Sequence, residues 1–292
     1  MIKGSSTVLK QETASISLIS DGLLKLDGGG VFGLIPKSLW EAHIVADRRN
    51  RVTLGLNSLL IQTREATILV DTGVGTKESA KMKDIYGLSS SKLLRDLKEH
   101  NLSPKDIDAV ILTHLHFDHC GGSTKINRNG KPTPTFGNAK YFVQRTAWEE
   151  ATNPNERSRA SYHPDDFLPL MQKGQLHLLD GDQEIVPGVS VKVTNGHTMG
   201  HQIVLVNSGG ERVAFMGDLV PTPFHLELPY IAAYDRFPDE TLEQKRSLLQ
   251  QAEQEGWLMV FSHGCDHISG YLERYNGRRF LRHVQLRPPL QG

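Results

Sequence analysis

The sequence predicts an α/β (α+β) fold in which two mixed sheets are flanked by helices on their outer faces. Short apolar runs bounded by turn residues, which are typical of strands, outnumber the segments with helical spacing. Both kinds of segment occur throughout the chain, but they do not alternate regularly. A single Rossmann-type sheet needs that alternation, so two sheets with outer helices fit the pattern better.

The N-terminal part of the chain contains five predicted strands and one predicted helix. Residues 1–14 are polar and small, which indicates a loose arm or an edge strand. Strands at 15–19 and 23–26 are separated by the turn Asp21-Gly22. Glycines 28–30 then open a loop with apolar residues as far as Trp40, which predicts either a flap over a pocket or a segment packed on the body. Further strands are predicted at 57–62, 67–70 and 109–112, and a helix at 92–100.

The C-terminal part continues the same mixture. Gly-rich turns separate predicted strands at 140–143, 175–179, 189–193, 203–206, 213–216 and 258–261. A helix begins at residue 146, and the Asn153-Pro154 step should end it. Residues 239–255 give the clearest helix, with a charged face and leucines on the other face.

The composition excludes several functional classes. Of the 292 residues, 38% are hydrophobic and 23% are charged, which is ordinary for a soluble globular protein of one large or two smaller domains. The 33 Lys and Arg balance the 33 Asp and Glu, so no basic field is expected for nucleic acid or an anionic membrane. No segment predicts a membrane span or a secretory signal. Two cysteines, Cys120 and Cys265, do not make a disulfide framework, and the cytoplasm is the expected compartment.

The segment His114-Leu-His116-Phe-Asp118-His119 is the strongest chemical signal in the chain. It places four metal-ligand side chains within six residues, directly after the apolar run 109–112 and before Gly121-Gly122. Imidazole and carboxylate groups bind Zn, Fe, Ni or Cu, and such a cluster would be a poor way to build a core. The segment therefore predicts a metalloenzyme.

Four other predicted strands end in residues that could bind or support a metal. Each apolar run is followed within a few residues by a His or an Asp: Asp71 after 67–70, His197 after 191–194, Asp218 after 213–216 and His263 after 258–261. Any one of these is weak evidence, because a single His or Asp beyond a strand is commonly a turn or capping residue. Together with the dense cluster, they predict one site assembled from strand ends.

In these motifs and their order, the chain resembles the metallo-β-lactamase-fold metallohydrolases from about residue 54 to about residue 264. The resemblance implies one domain spanning 1–292, folded as a four-layer αβ/βα sandwich. It implies that His114, His116 and His197 bind a first metal ion. It implies likewise that Asp118, His119 and His263 bind a second ion and that Asp218 bridges both. Supporting roles would fall to Asp71, which would orient ligands from outside the site, and to His201, which would pack behind the His197 loop.

Two metal ions in such a site give chemical reasons for hydrolysis. Ions about 3.5–4 Å apart can share one bridging water molecule. Bound metal lowers the pKa of that water to about 7, so hydroxide is available at neutral pH. Asp218 would hold the ions together, and Asp118 would hydrogen-bond the nucleophile. Zinc is the first expectation, although Fe, Mn or Co also suits these ligands. Neither Cys120 nor Cys265 occupies a ligand position, so both are expected to be free residues near the site.

Within that superfamily, the sequence of the His motif resembles most the motif in the branch of N-acyl homoserine lactonases and methyl parathion hydrolases. The branch opens lactones, esters or phosphotriesters and often forms dimers, so a small hydrophobic substrate and a homodimer are expected. One departure is that lactonases often have a Tyr where this chain has Pro221, and the nearest downstream tyrosines are Tyr230 and Tyr234. In place of that Tyr, we hypothesise that His225 contacts the substrate or protonates the leaving group; the alternative is a surface or packed His. The predicted pocket residues are Phe32, Trp40, Phe224 and Tyr230.

Alternative functions on the same fold remain open at this point. A glyoxalase II-like thioesterase or a mononuclear-iron sulfur dioxygenase shares much of the His pattern, but glutathione would require a basic patch. A nuclease would require a basic surface. A flavodiiron oxidoreductase would have Glu where His116 stands, and a scaffold with a relict site would have lost ligands that are all present here.

Overall fold

Two β-sheets carry most of the elements that position the candidate site. The computed structural model describes residues 14–266 and 268–286, so all but the last residue of the predicted arm lies outside the described residues. In chain order the strands are β1 (Ser15–Asp27), β2 (Arg51–Gln62), β3 (Thr67–Val70), β4 (Ala109–Ile111), β5 (Thr124–Ile126), β6 (Pro132–Pro134), β7 (Lys140–Gln144), β8 (Leu176–Leu179), β9 (Gln183–Val186), β10 (Val189–Val193), β11 (Gln202–Ser208), β12 (Glu211–Phe215), β13 (Leu258–Val260), β14 (Ser269–Tyr275) and β15 (Arg278–His283). The helices are α1 (Gly28–Phe32), α2 (Lys37–Trp40), α3 (Ala80–Ile85), α4 (Leu93–Glu99), α5 (Phe117–Cys120), α6 (Arg145–Thr152), α7 (Pro164–Gln172) and α8 (Pro238–Glu255).

The first sheet has the strand order β1-β2-β3-β4-β7-β8. Its first three strands pair antiparallel, whereas β3, β4, β7 and β8 pair parallel. Every residue of β4 is buried, and so are the last three of β3, as expected for short apolar strands covered on both faces. Because neighbouring parallel strands end at the same edge of a sheet, the loops that follow β3 and β4 lie side by side.

The second sheet has the order β15-β14-β13-β12-β11-β10-β9. Its strands pair antiparallel except for β12 and β13, which run parallel and are connected through α8. The segments that leave β12 and β13 therefore also emerge at one edge. A separate ribbon of β5 and β6 follows the His cluster.

Three apolar layers hold this architecture together. Leu59, Val70 and Ile111 of the first sheet contact Val204, Phe215 and Val260 of the second, and all of these side chains are fully buried. The outer face of the first sheet is covered by α4, α6 and α7, and that of the second by α8. The mixed sheets with helices on both outer faces are the predicted four-layer sandwich. In the described residues, every helix is too short or too polar to cross a membrane.

Two details of the N-terminal region differ from the sequence prediction. The predicted strands 15–19 and 23–26 form one strand, because Asp21-Gly22 makes a bulge in β1 instead of a turn. The Asp21 side chain turns inward there and accepts hydrogen bonds from the Gly75 and Leu93 amides, at 2.8 and 3.3 Å. The loop predicted at 28–40 contains α1 and α2, and its Phe32 and Trp40 rings are buried and stack 5.3 Å apart. Those two aromatic rings thus pack on the body of the protein, while Leu34 remains exposed.

Candidate metal centre

The His cluster lies where β4 ends, at the edge of the first sheet. After β4 the chain passes through His114 and His116 and then begins α5, which carries Asp118 and His119. The turn after α5 is packed so tightly on the loop after β3 that a Cβ on Gly122 would lie 2.1 Å from the Thr72 carbonyl oxygen. Glycine is required at position 122 because the two backbones approach so closely. The His cluster therefore lies directly against the end of the neighbouring strand β3.

Three buried imidazoles form the first group of candidate ligands. Single nitrogens of His114, His116 and His197 lie within 4.8 Å of one another. Nε2 of His197 lies 3.1 Å from Nδ1 of His116. Nε2 of His114 is buried and has no hydrogen-bond partner, although buried polar atoms nearly always have one.

A second group combines Asp118 and His119 from α5 with His263 from the segment after β13. Their ligand atoms also lie within 4.8 Å of one another. Nε2 of His119 lies 3.2 Å from Nε2 of His263. All three side chains are buried or nearly so.

Asp218 lies between the two groups. Its Oδ1 atom is 3.1 Å from Nε2 of His119 and 3.2 Å from Nε2 of His263, whereas Oδ2 is 3.3 Å from Nε2 of His197. A third set of atoms that could hold a metal ion joins Asp218 to His114 and His119. The structure therefore brings all seven predicted ligands together, with one carboxylate in the position from which it could bridge two ions.

The outward-facing ring nitrogens of the candidate ligands are fixed by acceptors outside the site. His119 Nδ1 donates to Asp71 Oδ2 at 2.8 Å, and His263 Nδ1 donates to the Gly55 carbonyl at 2.7 Å. Thr113 Oγ1 also donates to Asp71 and accepts from Nδ1 of His114 at 3.0 Å. Each bond uses the proton on the outer nitrogen, so the opposite nitrogen of the ring is directed inward and can bind a metal ion when the ring is neutral.

Asp235 supports His197 in the same way, and sequence reasoning missed it. Its buried Oδ1 atom accepts a 2.7 Å hydrogen bond from Nδ1 of His197. The segment that carries Asp235 is tied to the His197 loop, because the Arg236 amide donates to the His197 carbonyl at 3.0 Å. Asp235 follows no strand and belongs to no periodic pattern, so no local pattern indicates this contact.

The predicted supporting residue His201 lies behind Asp218. Its Nε2 accepts a 3.0 Å hydrogen bond from the Asp218 amide, and its Nδ1 contacts Thr194 Oγ1 at 2.6 Å. Burial lowers the pKa of His201 to about 3, so the ring is neutral and able to accept that bond. The contact orients the backbone from which the Asp218 carboxylate extends.

The buried imidazoles and carboxylates of the site shift one another's pKa values strongly. Burial and the neighbouring imidazoles hold the pKa values of His114 and His116 well below their usual range. Burial alone would raise the pKa of Asp218, but the surrounding His119, His263 and His197 hold it well below its usual range. For His119, the carboxylates of Asp218, Asp118 and Asp71 outweigh burial and raise the pKa. Neutral imidazoles beside an ionised carboxylate suit a bound cation, and a cation in the site would replace the proton that the raised pKa of His119 favours.

The structure corrects the role predicted for His225. This side chain is fully buried, its Nε2 donates to the Val31 carbonyl at 3.0 Å, and its Nδ1 lies 2.8 Å from Thr222 Oγ1. The ring also stacks on Phe32 with centroids 5.4 Å apart. Burial lowers the pKa of His225 to about 4. With both nitrogens paired to protein groups, His225 has no free nitrogen for substrate and serves to pack the wall of the site.

Of the predicted pocket residues, Phe224 lines a cavity next to a candidate ligand. It shares a cavity of about 220 Å³ with His263. Phe32 and Trp40 lie in the core behind that wall, and Tyr230 packs edge-on against Phe32 with centroids 5.9 Å apart. Two further residues that were not among these predicted pocket residues line cavities: His43, which stacks on Phe224 in the same cavity, and Tyr234, which lines a second one. Both cysteines are free as expected, Cys120 buried and Cys265 exposed, and neither joins a ligand group.

Comparisons with known proteins agree with this geometry. A model of the metallo-beta-lactamase superfamily matches residues 52–263, which include every candidate ligand. The N-acyl homoserine lactonase AiiA of Bacillus thuringiensis subsp. kurstaki is 30% identical over 223 residues, which cover 71% of this chain and 80% of the relative.

Solved structures give a likeness over nearly the whole chain. A probable metal-dependent hydrolase from Staphylococcus aureus is 32% identical, with a TM-score of 0.85 over 95% of this chain and 100% of that one. AidC, a dizinc quorum-quenching lactonase solved in complex with a product, has a TM-score of 0.76 over 95% of this chain and 96% of that one. Its identity is only 20%, so this second likeness concerns the fold alone.

Proposed function

Because the chain belongs to the metallo-beta-lactamase superfamily and is a lactonase-like hydrolase, we propose that it uses two divalent metal ions, zinc first among them, to open lactones of small hydrophobic compounds. Esters and phosphotriesters of similar size and polarity belong to the same proposal. The observation that carries it is the Asp218 carboxylate, which lies within 3.3 Å of nitrogens from both groups of candidate ligands.

The residues present fit two zinc ions. The buried Nε2 of His114 has no protein partner. The nitrogens of His116 and His197, and likewise those of His119 and His263, converge to 3.1 and 3.2 Å. Two ring nitrogens this close need a proton or a cation between them, and imidazole with carboxylate is a donor set that zinc prefers. We assign His114, His116 and His197 to one ion, Asp118, His119 and His263 to the other, and Asp218 to both.

Each side chain then has a distinct task in the reaction. Two bound ions would supply a shared hydroxide near neutral pH and polarise the carbonyl oxygen of the substrate. Asp218 would hold the pair together and offset its charge. Asp118, whose Oδ2 lies 3.7 Å from Nε2 of His263, would orient the nucleophile through a hydrogen bond to its carboxylate. Asp71 and Asp235 would keep the ligand rings in place.

The cavities beside the centre favour an uncharged, partly apolar substrate. The cavity of about 220 Å³ next to His263 is lined in part by Ile44, Leu54 and Phe224. It shares Ile44 and Gly264 with a larger cavity of about 500 Å³, which gives room for an apolar tail. Among the described residues that line the two cavities there is no lysine or arginine. An anionic thiol ester such as a glutathione conjugate would find no counter-charge there.

The proposal is tested with a substrate panel on protein of measured metal content. The panel contains an N-acyl homoserine lactone, an aryl ester, a phosphotriester, a phosphodiester and a glutathione thioester. We expect the lactone to have the highest kcat/KM. A preference for the thioester would favour a thioesterase. Oxygen consumption by protein with one iron per chain would favour a sulfur dioxygenase.

A further inference from the structure

We propose that the phenol of Tyr234 is a catalytic residue that donates a hydrogen bond to the substrate oxygen on which negative charge develops. The inference rests on the proposed function and adds a group that the metal ligands do not supply. Tyr234 lines a small cavity together with His197, Asp218 and His263, so the phenol and the candidate ligands face one space.

The hydroxyl of Tyr234 has no other task in the described protein. It forms no hydrogen bond with any described residue. The only other uncharged hydroxyl in the lining of the cavity belongs to Thr222, and that group is paired with His225 at 2.8 Å. The rest of the lining outside the ligands is apolar: Leu26, Val31, Leu54, Pro221 and Ala232. Tyr234 is therefore the free neutral donor of this cavity in the part of the chain that the structure describes.

The backbone on both sides of Tyr234 is fixed, although the residue is 41% exposed. The Ala233 amide donates to the Gly30 carbonyl at 2.8 Å. Arg157 donates to the carbonyls of Ala233 and Asp235 at 2.6 and 3.0 Å. Asp235 in turn accepts from His197 at 2.7 Å. A donor held this way needs little reorganisation when the substrate reacts, which is the condition for strong electrostatic stabilisation of a transition state.

The position of the ring depends on Gly30. A Cβ at that residue would lie 2.3 Å from the Tyr234 hydroxyl oxygen and 2.7 Å from the ring carbon that bears it. Alanine at position 30 would therefore displace the phenol without removing it.

The phenol also stays protonated under working conditions. Burial, together with the negative charge of Asp27 and Asp118 nearby, raises the pKa of Tyr234 to about 12. A hydrogen-bond donor is therefore available across the range in which the enzyme would be assayed.

The first test is Tyr234→Phe, with Tyr230→Phe as the matched control because Tyr230 packs against Phe32 outside this cavity. Because the variant loses a hydrogen bond to a group that becomes charged, we expect Tyr234→Phe to lower kcat/KM for a lactone by about 10–100-fold, mainly in kcat. Metal content and Tm should not change, because the lost hydroxyl has no protein partner. The control should stay within about twofold of wild type.

The second test uses Gly30→Ala. We expect it to lower kcat/KM in the wild-type background but to have little further effect in the Tyr234→Phe background, since both changes remove the same contact. Full additivity would contradict the proposal.

A binding measurement separates this inference from the proposed function. The ring-opened product N-hexanoyl-L-homoserine is titrated calorimetrically into metal-loaded wild type and Tyr234→Phe. We expect the Kd to rise about tenfold in the variant. Wild type without lactonase activity would refute the proposed function, whereas equal product affinity or equal kcat/KM in the two proteins would overturn the role of Tyr234 alone.

Discussion

The contact between Asp235 and His197 gives the sharpest single prediction about metal affinity. The two side chains are buried, and the carboxylate accepts a 2.7 Å hydrogen bond from Nδ1 of the imidazole. Replacing Asp235 by Asn keeps the shape and one acceptor oxygen but removes the negative charge. His197 then loses the carboxylate that fixes its tautomer and that increases the electron density on its inward nitrogen.

The magnitude follows from the difference between two kinds of hydrogen bond. A bond to a charged group contributes about 1.5–3 kcal/mol and a neutral one about 0.5–1.5 kcal/mol, so the substitution costs about 1–1.5 kcal/mol of metal binding. Since about 1.4 kcal/mol is a factor of ten, we expect the metal ion assigned to His114, His116 and His197 to bind about tenfold more weakly. Asp235→Ala, which leaves Nδ1 without an acceptor in a buried place, should weaken binding by up to about 100-fold.

The assay is competition for zinc between the protein and a chromophoric chelator. Asp239→Asn is the matched control, because it removes one negative charge from an exposed residue of α8 only four positions away. We expect the control to bind zinc as wild type does. Equal zinc affinity in wild type and Asp235→Asn would show that the contact does not orient a ligand.

Three further predictions concern stability and the packed wall of the site. Asn57→Ala removes buried hydrogen bonds to the carbonyls of Phe261 and Gly264, and should lower the free energy of unfolding by about 2–4 kcal/mol in denaturant titrations; a loss under 0.5 kcal/mol would contradict that reading. His225→Ala should destabilise the protein by about 2–3 kcal/mol yet leave kcat within about threefold of wild type, whereas a hundredfold loss of kcat would restore the catalytic role that the structure corrects. Hydrogen bonds from Arg274 lower the pKa of Glu253 from 4.5 to about 2, so its contribution is complete above pH 4.5 and is lost as the pH falls toward 2. Glu253→Gln should therefore cost about 1 kcal/mol at pH 7, after allowance for solvent screening, and almost nothing near pH 2; a gap that does not depend on pH would refute the assignment.

The sequence could predict the fold and the set of candidate ligands because both depend on local patterns. Short apolar runs marked the buried strands, and each candidate ligand stood within a few residues of the end of such a run. Neighbouring parallel strands such as β3 and β4 end at one edge, so residues far apart in sequence could be expected to meet there.

The parts that sequence reasoning missed depend on contacts between distant segments. Three glycines at 28–30 are compatible with a flap or with a packed segment, and the segment is packed: Asp27 accepts a hydrogen bond from the Gly30 amide and begins α1. A Cβ at Gly28 would lie 2.5 Å from the Trp40 ring, so this glycine allows close contact instead of movement. The loop that carries Tyr234 is positioned by Arg157 from another part of the chain. No local pattern in the sequence encodes that contact.

The most direct test of a two-metal hydrolase is stepwise reconstitution of metal-free protein. Zinc is added in fractions of an equivalent, and lactone hydrolysis is measured at each step. The structure predicts that activity is absent without metal and rises until two equivalents are bound, because Asp218 lies between two separate groups of ligands. Hydrolysis by metal-free protein, or full activity at one equivalent with no further change, would contradict the account.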